Sequence, residues 1–214
     1  MFNSDPRLIR LIMSLRNQGI SDTKVLAAIE RVPRAEFVSR DFAGEALADR
    51  ALPIECGQTI SQPYIVAYMT QQLALNDRLK VLEVGTGSGY QAAVLSHLCR
   101  RVYTIERYRT LLRAAEARFA ALGITNITSM AGDGMKGWPA QAPFDRIMVT
   151  AAAGSVPEKL ADQLKIGGRM ILPLTDDNGD QSLLLVERDS DGFIEKPLIP
   201  VRFVPLVPGI AKEM

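Results

Sequence analysis

At 214 residues, with 47% hydrophobic and 23% charged side chains, the chain is long enough to bury a substantial core and has the composition of an ordinary globular protein, not a disordered or fibrous one. Its 25 basic and 24 acidic side chains leave a net charge of +1, which gives no general field to draw in nucleic acid or an anionic membrane. No apolar run approaches the roughly 20 residues that span a bilayer, no basic-then-apolar leader opens the chain, and Cys56 and Cys99 lack metal-type spacing; a cytoplasmic protein with reduced thiols is expected.

In chain order, Leu8, Ile9, Leu11, Ile12 and Leu15 recur at helical spacing and Gly19 ends that helix. Ser21-Asp22-Thr23-Lys24 opens a second helix carrying Val25, Leu26 and Ile29, which Val32-Pro33 breaks. A stretch of mixed polarity leads to the loop from Leu52 to Tyr64, in which Gly57 gives backbone freedom and Thr59 and Ser61 offer hydroxyls. Pro63 then suits the first turn of an apolar helix running from Ile65 to Leu75, and Thr59 or Ser61, read alone, is a cap for it.

Val81-Leu82-Glu83-Val84 reads as a strand that enters Gly85-Thr86-Gly87-Ser88-Gly89-Tyr90 and then an apolar helix. Glycines without Cβ atoms let a backbone turn tightly and approach a ligand, while the free N–H groups of the next helix face the same spot. The dinucleotide fingerprint places its third glycine three residues after the second, where this chain has Tyr90, so the spacing argues against a nicotinamide enzyme and for S-adenosylmethionine. A second strand, Arg101–Glu106, ends in an acid about 20 residues beyond Gly85, where a doubly wound fold offers a carboxylate to ribose hydroxyls.

A helix from Arg107 to Leu122 follows, capped by Gly123, and its Arg107, Arg109, Arg113 and Arg118 read as a solvated face. Ile127–Met130 is a third strand running into Gly132-Asp133-Gly134, where Asp133 can accept from an adenine amino group and the glycines let the loop pass close to the ring. Phe144–Thr150 is a fourth strand, and Leu164–Pro173 reads as a helix end, a turn and a fifth strand. Such alternation implies an α/β doubly wound, mainly parallel sheet with the ligand beyond the carboxyl ends of the strands. With the glycine spacing and the acids it is read as a Rossmann-like methyltransferase sheet, with added N-terminal helices and a C-terminal extension. Residues 1–76, helices and substrate loop, and 77–214, the core and extension, are taken as parts of one domain, since no flexible linker divides them.

Two other patterns carry less. Asp176, Asn178, Asp180 and Glu187 fall at calcium-loop positions, but Gln181 replaces the required glycine and the flanks look like strands, so Asn178-Gly179 reads as a hairpin turn and no metal is expected. His97, the single histidine, stands eight residues beyond Gly89, about 12 Å along a helix, too far for proton transfer at the glycine turn. Chemistry at that turn therefore proceeds without a histidine base, which favours a nucleophile already ionised at neutral pH.

Gly57-Gln58-Thr59-Ile60-Ser61-Gln62-Pro63 resembles the signature loop of protein-L-isoaspartate O-methyltransferases. Val32-Pro33-Arg34, Leu52-Pro53-Ile54, the Glu83-to-Tyr90 turn, Gly132-Asp133-Gly134, Phe144–Ile147 through Thr150-Ala151-Ala152, Gly167-Gly168-Arg169 and Val201–Leu206 are similar to that family's blocks in the same order. The resemblance implies transfer of the methyl of S-adenosylmethionine to the α-carboxyl of L-isoaspartyl residues in damaged proteins and peptides, giving an ester that closes to succinimide unaided. It implies Ser61 as the active-site serine, Gln58, Thr59 and Ser61 against the substrate, and Ile60, Ser61, Gln62 and Pro63 against the cofactor. With the residues read above, the expected cofactor set adds Glu83, Gly85, Gly87, Gly89, Glu106, Asp133 and Gly134.

The expected partners are isoaspartyl proteins and peptides, with no nucleic acid or membrane, and the protein is expected to be a monomer or weak homo-oligomer. Glu55 stands where that family's pattern has glycine, and Ala153-Gly154-Ser155 replaces a more proline-rich stretch; the first departure bears on the conformation and peptide selectivity of the loop. The competing readings are a methyltransferase acting on another acceptor and a cofactor-binding module without catalysis.

Overall fold

The computed structural model describes residues 5–212. Two helices open it. In α1 (Pro6–Asn17) Asp5 caps the first turn by accepting from the Arg7 N–H at 2.9 Å, and Leu8, Leu11 and Leu15 form the buried stripe. In α2 (Thr23–Arg31) Asp22 does the same for Lys24 and Val25, and Val25, Leu26, Ala28 and Ile29 are buried. The mixed-polarity stretch folds as short 3₁₀ turns, Arg34–Phe37 and Arg40–Glu45, before a small hairpin of β1 (Leu52–Pro53) and β2 (Thr59–Ile60). Helix α3 (Pro63–Gln72) follows with Pro63 at its first position.

The remaining elements build the sheet: β3 (Lys80–Val84), α4 (Tyr90–Ser96), β4 (Arg101–Glu106), α5 (Arg109–Ala121), β5 (Ile127–Ala131), β6 (Phe144–Val149), α6 (Glu158–Ala161), β7 (Leu164–Thr175), β8 (Gln181–Arg188) and β9 (Phe193–Pro200). The seven strands run in the order β5-β4-β3-β6-β7-β8-β9. Pairings among the first five are parallel, while β8 and β9 are added antiparallel. The chain therefore winds outward from β3 in one direction through β4 and β5, then returns to lie on the other side of β3 as β6. That reversal opens a crevice at the carboxyl end of β3, where open α/β sheets place ligands.

Alternating side chains of the strands face two cores. Val81, Val102, Met148 and Ile171 meet α1 to α4, whereas Leu82, Val84, Ile105, Ile147 and Leu172 meet α6 and the loops of the opposite face. Helix α3 is fixed at both ends. Its first turn is capped by Asp49, whose Oδ1 accepts from the Tyr64 N–H at 2.8 Å. Its last carbonyls accept from two strand arginines: Arg146 Nε to Leu73 O at 2.5 Å, and Arg169 Nη1 to Gln72 O at 3.3 Å.

Three sequence expectations need correction. Leu164–Ile166 is not a helix end: Leu164 pairs directly with Phe144, and β7 runs on through a register shift, with Gly167 at φ +78°. The outermost strand β9 was not anticipated, because it is an exposed edge with Pro197 inside it and shows no apolar alternation. Ser61 and Thr59 do not cap α3, since that task falls to Asp49. The Asn178-Gly179 turn does join β7 to β8 as a hairpin, with Gly179 at φ +88°. Among the described residues no helix is long and apolar enough to cross a membrane.

The β1–β2 turn has the geometry of a type I′ hairpin, with Cys56 at φ 59° and Gly57 at φ 65°, closed by Gln58 N–H to Glu55 O at 3.2 Å. Glu55 occupies a corner that needs no positive φ and is exposed, so its replacement of glycine leaves the turn intact. Cys56 is the residue in a left-handed conformation that asparagine tolerates better. Cys56→Asn is expected to raise stability by about 0.5–1 kcal/mol with cofactor affinity unchanged. Urea unfolding beside a calorimetric titration checks this, and a lowered midpoint counts against the turn assignment.

Candidate active site

The carboxyl ends of β3, β4 and β6 bring together the glycine turn, Glu106 and Thr150. Gly85 stands at φ +99°, and a Cβ there would lie 2.3 Å from Thr150 Oγ1. The Thr150 hydroxyl lies 2.8 Å from Gly85 O and 3.0 Å from Val84 O, so it ties the end of β6 to the turn after β3. Glu106 is buried at the end of β4, and its two oxygens accept from Gly87 N–H at 2.8 Å and Tyr108 N–H at 3.0 Å. Each oxygen keeps a lone pair for a further donor. Gly89 plays a different part: its Cβ would meet the Phe119 ring at 2.8 Å, so it lets α4 and α5 pack and stays out of the cleft.

Two lobes open from this crevice. The first, of about 570 Å³, is lined by Gly85, Gly87, Glu106, Arg107, Tyr108 and Gly134, with Gln58 and Thr59 on one wall. Its remaining wall is Val204–Val207, an extended strap held by Ala152 N–H to Val204 O at 2.8 Å, Leu206 N–H to Ala152 O at 2.7 Å and Ala211 N–H to Arg107 O at 3.0 Å. The second lobe, of about 340 Å³, is lined by Ile60, Ser61, Thr86, Ser88, Tyr90 and Gln91. Thr59, Gly85, Gly87 and Thr150 line both lobes and form the waist between them.

The first lobe suits a nucleoside. It combines a glycine turn that accepts close approach, a carboxylate already oriented by backbone N–H groups and apolar walls from Val84, Ile105 and Leu206. Asp133 stands beside it, its Oδ1 accepting from Met135 N–H at 3.0 Å, while Gly134 lines the lobe itself. A Cβ on Gly134 would lie 2.4 Å from Val84 Cγ1, which is why only glycine fits there.

Not all the expected site residues reach the lobes. Glu83 lies wholly buried within β3, away from both. Its Oε2 accepts from Thr104 Oγ1 at 2.5 Å, the Thr86 hydroxyl lies 2.6 Å beyond, and among the described residues Oε1 has no hydrogen-bond partner. Burial, against which the Thr104 bond works, pushes its pKa up to about 8, helped by the neighbouring charge of Glu106. Gln62 and Pro63 begin α3 and line neither lobe, and Gln58 faces the first lobe only. The four arginines expected on one helix are not one solvated face: Arg107 precedes α5 and lines the first lobe, Arg118 Nη1 donates to Ser88 O at 3.1 Å, and Arg109 and Arg113 are exposed.

Sequence reasoning passed over three residues that shape the site. Thr150 ends a strand at the carboxyl edge, a position that could have singled it out. Asp49 carried no signal, lying in a stretch without periodicity. Arg34 is 2% exposed and donates to Ala46 O at 2.6 Å, Arg50 O at 3.0 Å and Ser61 O at 3.0 Å, yet on a chain it reads as an ordinary surface charge.

The family model described as "Protein-L-isoaspartate(D-aspartate) O-methyltransferase" matches residues 7–211. A protein-L-isoaspartate O-methyltransferase of Parvibaculum lavamentivorans is 64% identical over 100% of this chain and 97% of its own. Among solved structures, a protein-L-isoaspartate O-methyltransferase is 30% identical with a TM-score of 0.87, covering 95% of this chain and 67% of that one. A Plasmodium falciparum structure of the same enzyme name, in complex with S-adenosyl-L-homocysteine, is 25% identical with a TM-score of 0.82, covering 92% of this chain and 97% of that one.

Proposed function

Since the chain belongs to the protein-L-isoaspartate(D-aspartate) O-methyltransferase family, we propose that its two lobes divide the work of that reaction, the first holding S-adenosylmethionine and the second the isoaspartyl carboxylate. The observation that carries the division is the shared waist of Thr59, Gly85, Gly87 and Thr150, where a donor in one lobe and an acceptor in the other face each other.

When bound, S-adenosylmethionine supplies a methyl on a cationic sulfur, whose sulfur–carbon bond breaks as the new oxygen–carbon bond forms. Glu106 would accept from the ribose hydroxyls and Asp133 from the adenine, while the glycine turn leaves room for the backbone to lie against the ligand. The acceptor carboxyl has an α-carboxyl's pKa of about 3.5, so it is ionised at neutral pH and no base is required of the protein. His97 agrees with that: it is exposed at the far end of α4, with its pKa lowered by partial desolvation and the charge of Arg31. Ser61 lines the second lobe, where its hydroxyl would hold one carboxylate oxygen and leave the other to attack. The contribution asked of these residues is placement, which in enzymes is worth about 7–11 kcal/mol at most.

The test separates donor from acceptor. Labelled methyl is expected to pass to a peptide containing L-isoaspartate and not to the same peptide with aspartate; equal labelling, or none, counts against this acceptor. Ser61→Ala is expected to lower turnover about 10- to 100-fold while changing S-adenosylhomocysteine affinity little. Asp133→Ala is expected to do the reverse, with affinity falling about tenfold. Equal affinity losses in both variants would overturn the division of roles.

A further inference from the structure

The guanidinium of Arg34 is buried directly behind the second lobe, and its hydrogen bonds to Ala46, Arg50 and Ser61 all end on neutral carbonyls. Among the described residues its Nε has no hydrogen-bond partner, and its Cζ sits 5.8 Å from the centre of the ring of Tyr90, a residue that itself lines the lobe. The acid whose field it feels is Asp49, but that carboxylate is committed elsewhere, to Tyr64 N–H at 2.8 Å and Gln18 Nε2 at 3.2 Å. A buried cation is costly unless paired with an anion. Three carbonyls can be gathered by neutral donors, so gathering them does not account for a full positive charge at this place.

Resting on the function proposed above, we propose that Arg34 is the charge complement of the acceptor. It is a positioning residue: it fixes the Ser61 carbonyl and, without touching the substrate, makes the second lobe prefer an ionised carboxylate to a neutral group of the same shape. The partial charge at the N-terminus of α3 acts in the same sense but is already met by Asp49.

The experiment compares two peptides in the presence of S-adenosylhomocysteine, one with the free isoaspartyl α-carboxylate and one with a carboxamide in its place. The whole protein is expected to bind the acid about tenfold more tightly, the scale for a unit charge several ångströms away in a partly solvated site. Arg34→Met should erase that preference while leaving the carboxamide peptide's affinity within about twofold. Arg34→Lys, which keeps the charge but cannot span three carbonyls, should keep the preference while turnover falls.

If Arg34→Met weakens both peptides equally, or neither, the residue is only a structural tie and the proposal fails. Should Arg34→Met not fold, Arg34→Lys still decides: loss of the acid preference despite the retained charge overturns the proposal. Failure of the unaltered protein to methylate the acid peptide overturns the functional reading instead, whereas methylation with equal binding of the two peptides overturns the role of Arg34 alone.

Discussion

Replacing Gly85 with alanine is expected to lower S-adenosylhomocysteine affinity about 100-fold and to cost about 2–4 kcal/mol of stability. Two effects add. A non-glycine residue at φ +99° is strained wherever it stands, and here the new Cβ would lie 2.3 Å from Thr150 Oγ1. The threonine cannot simply swing aside, because its hydroxyl is what ties β6 to the glycine turn through Val84 O and Gly85 O. Relief of the clash therefore moves the waist itself. Gly123→Ala is the matched comparison: φ is +66° but, its chain neighbours aside, nothing among the described residues lies within 4 Å of the added carbon. It should cost about 1 kcal/mol and leave the affinity alone. Calorimetric titration and thermal melts of both variants read this directly, and similar affinities in the two would show that crowding at Thr150 does not shape the site.

The second large effect concerns Glu83. Its pKa of about 8 in the fold against 4.5 for an unperturbed carboxyl means that the folded chain holds this proton more tightly than the unfolded one. The contribution to stability is thus fully present below pH 4.5 and is lost as pH rises towards about 8, beyond which it is level. Within that window the slope approaches about 1.4 kcal/mol per pH unit for a single group. Glu83→Gln has nearly the shape of the protonated acid and cannot ionise. Between pH 5.5 and 8.5 the unaltered protein is expected to lose about 3 kcal/mol more than the variant, which should be the more stable of the two at the upper end. Denaturant unfolding at the two pH values measures it; parallel losses would mean that Glu83 is ionised in the fold at neutral pH.

Glu83 also shows what a sequence conceals. An acid at the end of an apolar strand beside a glycine turn reads as a ligand, and the same letters describe an acid buried within the sheet and hydrogen-bonded to the next strand's Thr104. Which holds depends on register and on what covers that face, and neither is local. Gly85, Gly87 and Glu106 were legible because their placement follows from strand–turn–helix order alone, and the structure brings them to one crevice. Helices α1 and α2 were legible from apolar spacing, and α3 to α5 from apolar content, start and stop residues and strand–helix order, with boundaries shifted by a few residues.

The antiparallel β9 was not legible, being a largely exposed edge interrupted by Pro197 and without apolar alternation. Nor were Arg34 and Asp49, whose roles exist only because the hairpin, α3 and the residues between them fold against one another. The strap at Val204–Val207 was visible only as a run similar to a family block, and its place as a wall of the first lobe follows from its pairing with Ala152.

The arginine bonds at the far end of α3 have a mechanical meaning. Helix α3 starts beside Ser61 and ends where Arg146 of β6 and Arg169 of β7 grip its last carbonyls; β6 runs back to Thr150 at the waist. Helix and strand are thus two sides of a closed frame, riveted at one corner and facing each other across the reaction site at the other. Any motion that widens the gap between Ser61 and Thr150 must bend the helix, shear the sheet or pull out the rivets. A stiff frame of this kind holds the spacing between two bound partners steady against thermal agitation, and in a reaction that draws on placement alone, steadiness of spacing is the quantity that matters.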